Sequence, residues 1–196
     1  MFTRGKMLYF DNPKKVYWTD SGVSCWAVTF EDRCKLLLDY ARAYNLKTFI
    51  ETGTWHGDTV QCFYPHFDQV YSIELSPKLV EEARKKFSDV SNVHLYLGDS
   101  GQVLKELLSQ LPKTPTLFWL DAHSSGGDTV WTPDVPLGKD LSTIFESGFD
   151  GVVFVDDLQD CWSHNWAEIA HRMVAKYGWH QETQHGIMKI TREEGL

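Results

Sequence analysis

The stretch "FIETGTWHGDT", residues 49–59, decides how the rest of the chain is read. An apolar run ends on an acid, and Thr-Gly-Thr with a second glycine, Gly57, leads into a helix-like segment at 57–63. A strand that stops in a tight turn and re-enters as a helix leaves backbone N–H groups pointing outward unpaired, which makes a place to hold a ligand. Glu51, Thr52, Gly53, Thr54, Gly57 and Thr59 are therefore the first candidate ligand-binding residues.

Outward from this turn, β-rich runs alternate with helical patterns. KTFIET (47–52), QVYSIEL (69–75), NVHLYLG (92–98), TLFWLD (116–121) and GVVFVDD (151–157) read as strands. Helices are expected over 57–63, 76–87, 100–111, 137–147 and around 163–177. The second has its own start signal, with Ser76 as N-cap, Pro77 at the first helical position, and Glu81 and Glu82 four residues before Lys85 and Lys86. Two extended runs joined across Gln184, His185 and Gly186 predict a terminal antiparallel hairpin. The expectation is a doubly wound α/β domain over 47–196, with a mostly parallel seven-stranded sheet and right-handed crossovers. Residues 1–46 break the alternation. Tyr9, Phe10, Tyr17, Trp18, Trp26 and Phe30 crowd there, and an amphipathic helix over 31–44 follows. This segment reads as a helical cap, with 31–44 as a packing helix that covers a sheet edge and 7–30 as part of a lid.

Composition narrows the partners. The 196 residues suffice for one domain with a real core. Twenty-seven acids against nineteen Lys and Arg give a net charge of −8, which disfavours a nucleic-acid partner. No apolar run is long enough to span a membrane, and the N-terminal residues lack a leader pattern, so a cytoplasmic protein is expected. Cys25, Cys34, Cys62 and Cys161 form no Cys-x-x-Cys pair, so neither a zinc knuckle nor a disulfide framework is indicated.

Ligands of open α/β sheets bind outside the carboxyl ends of the strands, and here every one of the five strand ends carries an acid: Glu51, Glu74, Asp99, Asp121 and the pair Asp156-Asp157. One such acid is ordinary turn or capping chemistry; all five together favour a ligand. Glu74 lies about twenty residues past the glycine turn, where an acid accepts hydrogen bonds from ribose hydroxyls. The turn separates two kinds of adenosine cofactor. A dinucleotide pyrophosphate needs G-x-G-x-x-G, and Trp55 stands where the middle glycine would lie, so NAD is disfavoured.

These stations resemble the class I S-adenosylmethionine-dependent methyltransferases. "ETGTWHG" (51–57) is similar to their first motif, "VYSIELSP" (70–77) to the second with its ribose acid, "LGDS" (97–100) to the third with its adenine-contacting acid, and "FWLDAH" (118–123) to the fourth. The resemblance runs from Lys47 to the terminus, and Trp55 is its departure. It implies S-adenosyl-L-methionine as cofactor on the turn residues together with Glu74, Leu75, Asp99, Ser100 and Asp121. A finer resemblance, to catechol-type and to macrolide or aminocoumarin sugar O-methyltransferases, rests on "WLDAH" and "VVFVDDL". It implies Mg²⁺ on Asp121, Asp156 and Asp157, with metal-independent transfer as the alternative. Mg²⁺ favours hard oxygen ligands and makes a bound hydroxyl more acidic. His123, two residues past Asp121, is the candidate general base, with His164 and His56 behind it. The Gly- and Pro-rich stretch 124–138 reads as a lid carrying Trp131. The expected acceptor is a small-molecule hydroxyl on a sugar or phenol. A non-catalytic adenosine-binding protein is the rival from another class, and the aromatic N-terminal segment suits a homodimer contact.

Overall fold

The computed structural model describes residues 14–18, 23–122, 136–156, 166–184 and 186–192. Its chain order is β1 (Lys14–Trp18), β2 (Val23–Ala27), α1 (Phe30–Ala43), β3 (Thr48–Thr52), α2 (Asp58–Phe63), β4 (Gln69–Glu74), α3 (Pro77–Lys86), β5 (Val93–Leu97), α4 (Ser100–Gln110), β6 (Thr116–Leu120), α5 (Leu137–Ser147), β7 (Gly151–Val155), α6 (Trp166–Tyr177), β8 (His180–Gln184) and β9 (Ile187–Thr191).

Seven strands join in the order β5-β4-β3-β6-β7-β9-β8. β3 pairs in parallel with both β4 and β6, and the C-terminal pair β8 and β9 runs antiparallel. The chain therefore winds outward from β3 in one direction through β4 and β5, then returns to β3's other side for β6 and β7. The gap between the carboxyl ends of β3 and β6 is the switch point, where a cleft opens in this class of sheet.

Alternation along each strand divides the core between the two faces. On β6, Leu117 and Trp119 join a cluster with α1, α2 and α3 (Leu37, Val60, Ala83), while Phe118 and Leu120 join α4, α5 and α6 (Leu104, Leu141, Val174). β3 is buried along its whole length, as a central parallel strand covered on both faces must be. Helix starts follow the local chemistry. Ser76 caps α3 by accepting from Leu79 N–H, and Thr29 caps α1 by accepting from Asp32 N–H.

The terminal hairpin lies where the sequence put it, and β8 forms an outer edge of polar residues, four of its five side chains exposed. The helix expected over 31–44 is α1, though it covers central strands and not a sheet edge, and two strands that the sequence reading did not expect precede it. Lys14–Trp18 and Val23–Ala27 pair as a separate two-stranded antiparallel sheet before α1. The signal was present in the sequence: two short runs rich in Val, Tyr and Trp flank Thr-Asp-Ser-Gly at 19–22, which has turn composition. α1 itself packs through Cys34, Leu37, Tyr40 and Ala41 into the same cluster as β3, β6 and β7, so it belongs to the sheet's own core. Among the described residues, no helix is long and apolar enough to cross a membrane.

Candidate functional site

Strand register places the rim residues. Ser72, Glu51, Trp119 and Phe154 occupy one row across β4, β3, β6 and β7, on the face that α1 covers. Two residues further along each strand, the next row on that face is Glu74, Gly53, Asp121 and Asp156. Hydrogen bonds continue the ladder to this row: Gly53 N–H donates to Ile73 O (2.8 Å), Asp121 N–H to Thr52 O (3.1 Å) and Asp156 N–H to Leu120 O (3.1 Å). Three carboxylates and one glycine thus stand side by side across strands spaced about 4.8 Å apart.

Gly53 is required by geometry. Its φ is +89°, and a Cβ there would lie 2.6 Å from the Asp121 backbone oxygen. Gly57 begins α2 at φ +72°, and its missing side chain leaves room for the Phe87 ring. Between them Trp55 takes φ +47°, a left-handed conformation costly for a bulky residue. Its N–H donates to Glu74 Oε2 (3.0 Å), which holds the turn in place, and its side chain is half-exposed against His56. Lys86 Nζ closes the outside of the turn by donating to the carbonyl oxygens of His56 and Gly57 and to Asp58.

The candidate residues divide into those that build the rim and those that face it. Glu51 is fully buried and accepts from Ser72 Oγ (2.6 Å), whose oxygen also lies 2.5 Å from Thr54 Oγ1. Thr52 and Thr54 are enclosed as well. The side chains of these three residues are turned into the protein, and Ser72, absent from the sequence reading, links Glu51 to Thr54, while Thr52 Oγ1 has no hydrogen-bond partner. Burial pushes the Glu51 carboxyl up to about 8; the Ser72 bond and Arg33 oppose that shift, while Asp121 and Glu74 add to it. Folding therefore takes up a proton above pH 4.5, the ordinary value, and this contribution is complete below that value and is lost as pH rises through about 8. Replacing Glu51 with Gln is expected to flatten the profile. In urea unfolding between pH 5 and 8, the variant should gain on wild type with rising pH, by on the order of a few kcal/mol. Parallel profiles would show that Glu51 is ionised in the folded protein.

Both carboxylate oxygens of Glu74 are engaged. Its Oε1 accepts from Ser76 N–H (2.8 Å) while Oε2 holds Trp55, so part of its role is turn chemistry. A carboxylate has about four acceptor positions, which leaves capacity for ribose hydroxyls. Asp99 behaves in the opposite way. It occupies the N-cap of α4 yet makes no side-chain capping bond, and its Oδ1 is buried with no hydrogen-bond partner. Ser100 is buried and donates to Asp140 Oδ2 (2.9 Å) on α5, an acid the sequence reading missed. Burial pushes Asp140 up to about 7, against the Ser100 bond and with Asp99 adding to the rise. Thr59 on α2 and Leu75 after β4 are each half-buried.

An adenosyl sulfonium donor fits these residues on two observations: the unpaired buried Asp99 oxygen, and the Gly53 floor that a Cβ would fill. A row of carboxylates also suits ribose hydroxyls and a cationic sulfur far better than a pyrophosphate. Mg²⁺ fits less well. Asp156 is buried and its Oδ2 accepts a hydrogen bond from Arg33 Nη1 on α1, so a fixed positive charge already sits on a carboxylate expected to hold the metal. Among the described residues, no three His, Cys, Asp or Glu side chains converge on a metal position. Asp157, His123, His164, Trp131 and residues 124–135 of the expected lid lie outside the described residues. The expectation of Mg²⁺ on Asp121, Asp156 and Asp157 gains no support from the described residues, which leave out Asp157; the Arg33 contact on Asp156 is the observation that weighs against it. The place of Arg33 was legible in part, since it is in helical phase with Leu37, Tyr40 and Ala41 on the buried stripe of α1.

No family profile and no curated sequence matches the chain. Solved structures do. An S-adenosylhomocysteine-bound methyltransferase of Podospora anserina superposes with a TM-score of 0.59 at 16% identity, over 85% of this chain and 80% of that one. An O-methyltransferase from Bacillus cereus, also an S-adenosylhomocysteine complex, gives 0.58 at 14% identity over 84% and 82%. A precorrin-6y C5,15-methyltransferase from Geobacter metallireducens gives 0.59 at 13% identity over 83% and 87%. What these likenesses establish is the architecture: the chain has the seven-stranded, Rossmann-like methyltransferase fold.

Proposed function

We propose that this protein transfers a methyl group from S-adenosyl-L-methionine to a hydroxyl of a small molecule, a sugar or a phenol. The observation that carries the reading is the rim row Glu74, Gly53, Asp121 and Asp156 at the switch point, flanked by the unpaired oxygen of Asp99. The cofactor supplies an electrophilic methyl carbon on a positively charged sulfur. Glu74 would accept from the ribose hydroxyls at the end of β4, and Asp99 from the adenine amino group after β5. Gly53 lets the chain pass close beneath, and Asp121 stands at the methyl end beside the acceptor.

In-line displacement at carbon asks the protein chiefly to align nucleophile, methyl and sulfur and to receive the acceptor proton. His123, two residues beyond Asp121, is the proposed base. The fold itself does not choose the acceptor, because its neighbours include both an O-methyltransferase and a precorrin C-methyltransferase. The choice of a hydroxyl rests on the resemblance carried by "WLDAH" and "VVFVDDL".

Calorimetric titration with S-adenosylhomocysteine, followed by incubation with methyl-labelled donor and a panel of catechols, phenols and sugars, tests the proposal. Binding plus label in an O-methyl product supports it. Absence of binding sinks it, and binding without transfer to any acceptor leaves a cofactor-binding protein instead. Two variants check the adenosine contacts. Asp99→Asn is expected to weaken S-adenosylhomocysteine about tenfold with little change in melting, because its buried oxygen makes no bond in the apoprotein. Glu74→Gln should weaken binding and also lower the melting temperature, since that carboxylate fastens two backbone N–H groups. Equal effects of the two on melting would contradict this division of roles.

A further inference from the structure

The rim row concentrates negative charge. Asp121 and Asp156 stand side by side at the ends of β6 and β7. Neighbouring carboxylates either share a proton or stay ionised beside a cation. α1 delivers one. Arg33 is three-quarters buried at its side chain, its Nη1 donates to Asp156 Oδ2, and its guanidinium carbon lies 5.5 Å from the centre of the Trp119 ring and 5.7 Å from that of Phe30. Trp119 is two residues before Asp121 on the same face of β6, so the planar guanidinium is fixed by a ring on one strand and a carboxylate on the next. A planar, permanently charged group with directed donors suits that position better than a flexible ammonium.

We propose that Arg33 is the resident cation of the acceptor side of the site, a positioning residue that occupies the electrostatic place of a divalent metal. It holds Asp156 in a single orientation and offsets the charge of the row, so that a neutral hydroxyl can be seated next to Asp121 without a metal. The inference uses the methyltransferase reading only to name the acceptor side; the charge compensation itself stands apart from it.

The experiment uses Mn²⁺ as the probe, followed by electron paramagnetic resonance on the full chain. Wild type is expected to leave the signal of the hydrated ion unchanged. Arg33→Met removes the guanidinium while keeping an apolar stem over Trp119, and it is expected to acquire Mn²⁺ binding that a second change, Asp156→Asn, abolishes. Arg33→Lys keeps the charge and should remain blind to Mn²⁺; if Arg33→Met fails to fold by circular dichroism, wild type and Arg33→Lys decide the matter. Mn²⁺ binding by wild type that Asp156→Asn removes would overturn the proposal, and so would a folded Arg33→Met that binds none. Titration of S-adenosylhomocysteine into the same samples keeps the two readings apart. Affinity should be within about threefold of wild type in Arg33→Met, and EDTA should not alter it in wild type. Failure of wild type to bind S-adenosylhomocysteine rejects the proposed function while the Mn²⁺ result still decides the role of Arg33. A collapse of that affinity confined to Arg33→Met would assign Arg33 to the cofactor rather than to the acceptor side.

Discussion

Gly53→Ala is expected to lower stability by about 3 kcal/mol and to remove S-adenosylhomocysteine binding. Two causes add. The left-handed φ of +89° strains any residue with a Cβ, and the new methyl would sit 2.6 Å from the Asp121 backbone oxygen and 3.2 Å from Ala122 Cα. Backbone on a neighbouring strand cannot swing aside as a side chain would, so relief requires β3 and β6 to part at the switch point. Gly148→Ala is the control, because Gly148 has φ +75° with nothing within 4 Å of the added Cβ. It should cost about 1 kcal/mol, the strain alone. Thermal unfolding of both variants, with calorimetry on the folded fraction, measures the difference. Matching losses would mean that the close approach at Asp121 contributes nothing.

The second large effect is expected of Asp121→Asn. Asn keeps the shape of the side chain while removing its charge, and methyl transfer should fall by on the order of 10²–10³-fold. Affinity for S-adenosylhomocysteine should change by no more than about threefold, since Glu74, Asp99 and the glycine turn carry the nucleoside. Single-turnover rates with labelled donor and a parallel titration separate these quantities. A loss of cofactor affinity as large as the loss in rate would move Asp121 to the cofactor half of the site.

Much of this arrangement was legible before the structure. The five parallel strands, the hairpin across residues 184–186 and the α5 boundaries follow from period-2 and period-3.6 patterning plus strong local signals such as Ser76-Pro77. The rim acids were legible because strand ends can be counted along the chain. What escaped was set by contacts between distant segments. Whether Glu51 faces a ligand or Ser72 depends on the register of β3 against β4. Whether Asp156 meets a metal or Arg33 depends on how α1 lies over the sheet, 123 positions away in sequence. Asp140 escaped for the same reason: it reaches Ser100 only because α4 and α5 pack side by side. The β1–β2 hairpin was overlooked for a different reason, because aromatic crowding in 1–30 masked two short strands and the turn composition between them.

β8 has one more consequence. A sheet is open to enlargement wherever its last strand shows unclaimed N–H and C=O groups along a flat, greasy border. Here the last strand is His-Gln-Glu-Thr-Gln, and Glu182 is tied back by Lys189 Nζ at 3.0 Å. A neighbour's strand docked on that side would meet polar side chains on both faces and gain little apolar burial, so this border does not favour enlargement.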